Sequence, residues 1–281
     1  MGANSVEIFG LRRGAETLLR DLIHERAGLY FDDAKLDILS EKLAPLVVDR
    51  GFNSFLDYYY LLKFDAEAAE EWRNVSNALS VQETYFWREM DQINSLAENV
   101  VASLVLERKG SPIRIWSAAC ATGEEPLSIA MRLNESGWFE RADIEIYASD
   151  LSSSALDRAR GGVYRERSFR ALPAHLREKY FEYNGKEWRA APFLHEKIIW
   201  RQANLLERSD IEPLASCSVI FCRNVFIYFS LDAIRKVVDT FAERMSVPAF
   251  VFPGAAESLL KVTDDFELEE IGDCFAYVKR K

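Results

Sequence analysis

The sequence predicts an all-helical N-terminal module followed by a parallel α/β sheet that carries a small antiparallel insert. Three observations point there. Apolar residues recur at helical spacing through the first hundred positions. Short apolar segments alternate with helical runs after position 110. One basic stretch, 164–203, interrupts that alternation. A chain of 281 residues is long enough for two domains, expected at 1–90 and 91–281.

The helical module rests on two patterns. Leu36, Leu39, Leu43, Leu46 and Val47 share one helix face, with Asp32 and Asp33 placed as N-cap and first-turn acid and Gly51 as the stop. Ile93, Leu96, Ala97, Val100, Val101, Leu104 and Val105 repeat the spacing and close at Lys109–Gly110. Shorter helical stretches lie around Phe55–Leu62 and Ala66–Leu79, and no strand is expected before residue 110.

Beyond Ser111–Pro112 the pattern changes. Strands are expected at Ile113–Trp116, Ile144–Ala148, Val219–Phe221 and Ala249–Phe252. Helices are expected at Pro126–Leu133, Ser153–Arg160 and Asp232–Met245. The tail, Phe266–Ile271 and Phe275–Val278 around Gly272–Asp273, reads as an antiparallel hairpin. In the basic stretch, Tyr180–Tyr183 and Glu187–Ala190 flank the turn Asn184–Gly185, and Lys197–Arg201 is a candidate third strand of the insert.

Charge and composition exclude several functions. Hydrophobic residues at 49% and charged residues at 28% suit a soluble globular chain with a sizeable core. A net charge of −10 argues against broad nucleic-acid binding, which needs a positive surface. No uncharged apolar run approaches the roughly 20 residues of a membrane-spanning helix, so the chain is not expected to be an integral membrane protein. Met1–Gly14 lacks the long apolar centre of a secretory leader. Cys120, Cys217, Cys222 and Cys274 form no CxxC pair, and His24, His175 and His195 do not pair at ligand spacing. A cytoplasmic, reduced protein without a metal is expected.

Three segments carry candidate chemistry. In Trp116–Pro126, small residues let a ligand approach the backbone between strand and helix, but Gly123 stands alone without a GxGxxG pattern. Glu124 and Glu125 at the helix start would repel a pyrophosphate, which makes a nicotinamide dehydrogenase a distant reading. Two uses stay open for them: holding a cationic ligand such as S-adenosylmethionine, or complementing the helix dipole. Asp150 is placed either to bind ribose hydroxyls or to cap the next helix. In Phe221–Phe229, Arg223 and Asn224 interrupt an apolar strand end, and they either face a ligand or form a buried hydrogen-bonded pair.

Taken together, Glu83-Thr-Tyr-Phe-Trp-Arg88, Ile115–Pro126, Asn204-Leu-Leu206 and Ile220-Phe-Cys-Arg-Asn-Val-Phe-Ile-Tyr-Phe229 resemble the CheR family of chemotaxis receptor glutamate methyltransferases. The resemblance runs to Gly254–Glu257. It implies a class I (Rossmann-like) methyltransferase domain behind the helical module, with the insert at about 164–203. The implied cofactor is S-adenosyl-L-methionine, leaving S-adenosyl-L-homocysteine. By the same resemblance, the cofactor contacts are Gln82, Thr84, Arg88, Glu124, Asp150, Asn204, Leu205, Asn224 and Val225. Arg88 and Tyr228 are the catalytic candidates on chemical grounds, with a place in the apolar core as the other reading of Tyr228. The implied partners are the cytoplasmic domains of chemoreceptors, docked through the basic insert, with the enzyme recruited to receptor arrays at the inner face of the membrane.

The sequence departs from the family at Gln82, where many members carry Asn, at Trp87, which replaces the second Phe of a pair, and at Ala255–Ala256, where His-Ser is common before Glu257. A glutamate carboxylate, with a pKa of about 4.3, is ionised at neutral pH and needs no strong general base. Alignment and water exclusion are therefore expected to carry catalysis, with Arg88 and Arg223 offsetting the incoming charge. Competing readings are a cofactor-binding regulator that transfers nothing, which turnover would exclude, and a methyltransferase acting on another protein or a small molecule.

Overall fold

A computed structural model describes residues 13–107 and 110–280. The helix stop expected at Lys109, and most of Met1–Gly14, lie outside the described residues. Helices α1 (Arg13–Ala27), α2 (Leu36–Asp49), α3 (Phe55–Phe64) and α4 (Ala68–Leu79) form the N-terminal module. Their facing residues, among them Leu19, Ile23, Leu39, Leu43, Val47, Tyr58, Leu62, Trp72 and Val75, make a core of their own. Asp32 and Asp33 do not cap α2. They begin a 3-10 turn, Asp33–Lys35, and α2 starts after Lys35 without a side-chain cap. Gly51, at φ +74°, follows α2.

The second periodic run is one helical rod whose middle turn, Leu96–Val100, widens to π geometry between Met90–Ser95 and Val101–Glu107. After it come β1 (Ile113–Ala118), α5 (Glu124–Glu135), β2 (Ile144–Asp150) and α6 (Ser153–Gly161). Ser152, and not Asp150, caps α6, its hydroxyl accepting from the Ala155 amide at 3.2 Å. The chain continues through β3 (Val163–Tyr164), β4 (Phe181–Tyr183), β5 (Trp188–Ala190) and β6 (Ile198–Gln202). It ends with β7 (Val219–Cys222), α7 (Leu231–Arg244), β8 (Ala249–Pro253), β9 (Glu267–Ile271) and β10 (Cys274–Lys279).

Seven strands form one sheet in the order β6-β2-β1-β7-β8-β10-β9, the first five parallel and the last two antiparallel. Its central strands read as unbroken apolar runs because both faces are covered. Ile113, Ile115, Phe221 and Phe252 point to the face that holds α5. Trp116, Ile220, Cys222 and Val251 point to the face that holds α7. The small antiparallel sheet has the order β3-β5-β4. Its third strand is therefore Val163–Tyr164. The Lys197–Arg201 segment pairs instead with β2, in parallel, at the edge of the main sheet. Ile198 is buried in the sheet core, and that burial outweighs its nearness in sequence to the hairpin.

One strand-like contact does precede residue 110. Leu29 bridges antiparallel to Phe229, beside the bond from the Tyr30 amide to the Tyr228 carbonyl at 2.8 Å. The module thus sits against the C-terminal ends of the sheet strands. His24 Nε2 meets Ser230 Oγ at 2.8 Å, and Asn204 Nδ2 donates to the Arg26 carbonyl at 2.7 Å.

Candidate functional site

The site is built where β1, β2 and β7 end under the helical module. The loop leaving β1 bends through three left-handed residues, Ala119 (φ 55°), Ala121 (φ 48°) and Gly123 (φ 94°). A Cβ on Gly123 would stand 2.8 Å from the Trp200 ring and 3.1 Å from the Tyr164 hydroxyl, so only glycine fits that close approach. Asp150, the last residue of β2, ties the loop down. Its Oδ2 accepts from the Ala121 amide at 2.9 Å and its Oδ1 from the Ser152 amide at 2.8 Å. Burial pushes its carboxyl above the usual range, against the pull of these amides.

A cavity of about 340 Å³ opens beside this loop. Ala119, Ala121, Asp150, Asn204, Leu205, Asn224, Val225 and Tyr228 line it from the sheet side. Tyr30, Lys35, Ile38, Lys42 and Gln82 line it from the module side. A smaller polar recess shares Val81, Ala119, Ala121 and Asn224 with it and adds Thr84, Arg88, Glu125 and Arg223. The segment bearing Thr84 and Arg88 is held by Phe86, fully buried among Tyr164, Phe169 and Phe181, and by the Trp87 amide, which donates to Ser128 Oγ at 3.1 Å. Trp87 and Glu89, on either side of Arg88, are left-handed at φ 69° and 48°.

Most of the residues expected from the sequence meet here, with three corrections. Glu124 does not line the cavity or the recess. It is 2% exposed, and its carboxylate accepts from Thr122 Oγ1 at 2.6 Å and Ser168 Oγ at 2.9 Å, under the antiparallel insert. Glu125 takes the place expected of it, because the helical turn swings consecutive residues about 100° apart. Its Oε1 accepts from Ser117 Oγ at 2.7 Å, and its Oε2 lies 3.4 Å from Arg223. Burial raises the Glu125 carboxyl, with Arg223 opposing.

Arg223 is the second correction. Its side chain is only 2% exposed, and its guanidinium already spans Glu89 (3.1 Å), Glu125 and the Arg88 carbonyl (2.9 Å). A positive charge between two carboxylates has little left for an incoming third. Arg88 is the more available cation, 3.6 Å from Glu89 and bonded through one nitrogen to the Glu83 carbonyl. Third, the Asn204 side chain is taken up by the Arg26 carbonyl and the Leu206 amide, so it shapes the wall while Leu205 supplies apolar surface. Tyr228 is half-buried and faces the cavity, outside the packed core.

The sequence reading missed the module residues Tyr30, Lys35, Ile38 and Lys42, which no motif marks. Ala255 and Ala256 are exposed and line neither space. Among the described residues no group of three or more His, Cys, Asp and Glu side chains is placed to hold a metal ion. A mainly apolar cavity with one carboxylate on its wall suits a nucleoside, base against aliphatic side chains and diol toward Asp150. The adjoining recess sets the carboxylates of Glu83 and Glu125 beside Arg88 and Arg223, a mixed-charge surface that can meet a group carrying both an ammonium and a carboxylate.

Two family models match the chain. That for the CheR methyltransferase SAM-binding domain covers residues 82–274, and that for the CheR methyltransferase all-alpha domain covers 17–80. Among curated proteins, chemotaxis protein methyltransferase 2 of Vibrio cholerae is 35% identical over 263 residues, spanning 92% of this chain and 91% of that protein. The chemotaxis protein methyltransferase of Salmonella typhimurium is 30% identical over 252 residues (88% and 84%), and that of Escherichia coli K12 is 28% identical over 260 (89% and 86%).

Proposed function

This chain belongs to the CheR methyltransferase family, and from that premise we propose that it esterifies glutamate side chains of chemoreceptors with the methyl group of S-adenosylmethionine. The observation that carries the reading is the continuity of the nucleoside-sized cavity with the recess where Glu125 and Arg88 meet. When bound, S-adenosylmethionine supplies a methyl group on a sulfonium that departs as a neutral thioether. Asp150 would hold the ribose hydroxyls with the lone pairs its two amides leave free, and Glu125 would hold the ammonium. Leu205, Val225 and Ile38 would exclude water from the base.

The substrate carboxylate is itself the nucleophile, so the protein's task is alignment. Arg88 offsets the carboxylate charge as it approaches, and Tyr228 orients it from the loop after β7. Neither has to move a proton.

Docking of the receptor falls to the insert. Its net charge over 164–203 is +4, from nine basic and five acidic residues, within a chain of −10. Several of those cations are already paired: Arg165 with Glu187, Arg177 with Glu166, Lys179 with Glu135 and Arg170 with Glu83. Arg167, Lys186, Arg189, Lys197 and Arg201 are exposed and in no ion pair among the described residues; the first three lie on the insert itself and are the cations we assign to steering an acidic receptor helix. Transfer of tritiated methyl from S-adenosylmethionine to receptor-containing membranes, released by base as a methyl ester should be, tests the function. Turnover-dependent label that resists base would remove the ester assignment.

A further inference from the structure

We propose that Glu257 is a positioning residue of the methyl-transfer site, clamping the loop Asn224–Tyr228 through its backbone, and that Gly254 is glycine because the clamp leaves no room for a Cβ. The proposal rests on the reading of the site given above. Glu257 touches neither the cavity nor the recess. Its Oε2 accepts from the Asn224 amide at 2.8 Å and from the Gly254 amide at 2.6 Å, and its Oε1 accepts from the Ile227 amide at 3.2 Å. One carboxylate therefore binds three amides and joins the loop after β7 to the loop after β8. Charge-assisted bonds of this kind are stronger than neutral ones and fix direction as well as distance.

What it fixes is the wall of the active cavity. Asn224 is left-handed at φ 58°, a conformation that costs energy outside glycine and that the captured amide helps to hold. Ile227 lies within the 3-10 turn Phe226–Tyr228, so holding its amide sets the position of the next residue, Tyr228. The opposite side of that turn is held by the module, through the Tyr30 amide on the Tyr228 carbonyl at 2.8 Å.

Gly254 reports the tightness of the clamp. A Cβ there would stand 2.7 Å from Glu257 Oε2, 2.8 Å from Asn224 Nδ2 and 2.9 Å from the Asn224 nitrogen. Ala255 and Ala256 point to solvent, so replacing His-Ser with two alanines leaves the clamp whole.

The test compares Glu257→Gln, Gly254→Ala and their combination in the full chain, with Glu257→Asp as the conservative variant. Three quantities are read: kcat and KM on receptor membranes, S-adenosylhomocysteine affinity by calorimetry, and cooperative urea unfolding. The expected result is a loss of at least tenfold in kcat and at least threefold in S-adenosylhomocysteine affinity for each single variant. Cooperative unfolding is kept, Glu257→Asp falls between, and the double variant is no worse than the worse single one, because both changes break one contact. Either single variant keeping kcat and affinity within twofold of wild type overturns the proposal. So do losses that multiply in the double variant, or loss of cooperative unfolding in both singles, which would make the residue structural only. If wild type binds S-adenosylhomocysteine but methylates no receptor, the proposed function fails, and the affinity data still judge the clamp.

Discussion

Glu124 and Glu125 are neighbours in the chain and face different compartments: Glu124 is sealed under the insert by Thr122 and Ser168, while Glu125 faces the polar recess beside Arg223. Two consecutive acids thus sit in different surroundings, and in the proposed function only Glu125 meets the ligand.

That division predicts opposite outcomes for one substitution. Glu125→Gln should weaken S-adenosylhomocysteine roughly tenfold, about 1.4 kcal/mol, by removing the counter-charge of its ammonium. Glu124→Gln should leave that affinity within twofold. Isothermal titration of both variants decides the matter, and equal losses would refute the assignment.

The pH dependence follows from the raised carboxyls. A group whose folded pKa exceeds its unfolded one contributes stability that is present below the unfolded value and lost as pH rises through the folded value. Burial raises Glu124, so wild type loses this contribution on going from acid to neutral pH while Glu124→Gln does not. Urea unfolding of both proteins between pH 4 and 8 should show the variant gaining on wild type as pH rises. S-adenosylhomocysteine affinity should move the other way, weakening in acid as Glu125 takes up its proton. Glu125→Gln should flatten that profile.

Arg223→Met is expected to destabilise the fold by about 3 kcal/mol, since it leaves Glu89 and Glu125 facing each other without their shared cation. Arg88→Ala should unfold near the wild-type midpoint and lose most of its turnover. Denaturant midpoints beside the methyl-transfer assay separate these two arginines. A stable but inactive Arg223→Met would reverse their roles.

Gly123→Ala should cost more than 1 kcal/mol. Alanine is strained at φ +94° and its Cβ would press on the Trp200 ring, 2.8 Å away. Thermal unfolding and the Trp fluorescence of the folded state would both register the displacement.

Reversing Arg167, Lys186 and Arg189 to Glu should raise KM for receptor and flatten its salt dependence above about 0.1 M, with S-adenosylhomocysteine affinity unchanged. Reversing Arg177 or Lys179 would also break the pairs with Glu166 and Glu135. Receptor kinetics at several ionic strengths test the docking, and an unaltered salt dependence would make the insert a plain solvated surface.

The sequence by itself determined the helical module, the alternation of strands and helices, and the motifs that meet at the sheet's C-terminal ends. Those features depend on local period and on residue types whose chemistry acts over a few positions, as in Leu36–Val47 or Thr122–Glu125. Only the tertiary structure decided which glutamate faces the recess. α5 is buried almost all round, from Pro126 to Leu133, so its apolar pattern carries no phase that tells Glu124 from Glu125. Register likewise decided where Ile198–Gln202 pairs, because a strand beside a hairpin in sequence gains more by burying Ile198 against β2. Glu257's grip on Asn224, 33 residues away, and the module wall of Tyr30, Ile38 and Lys42 are long-range contacts. They exist only once two loops and two domains are packed together, and no spacing along the chain encodes them.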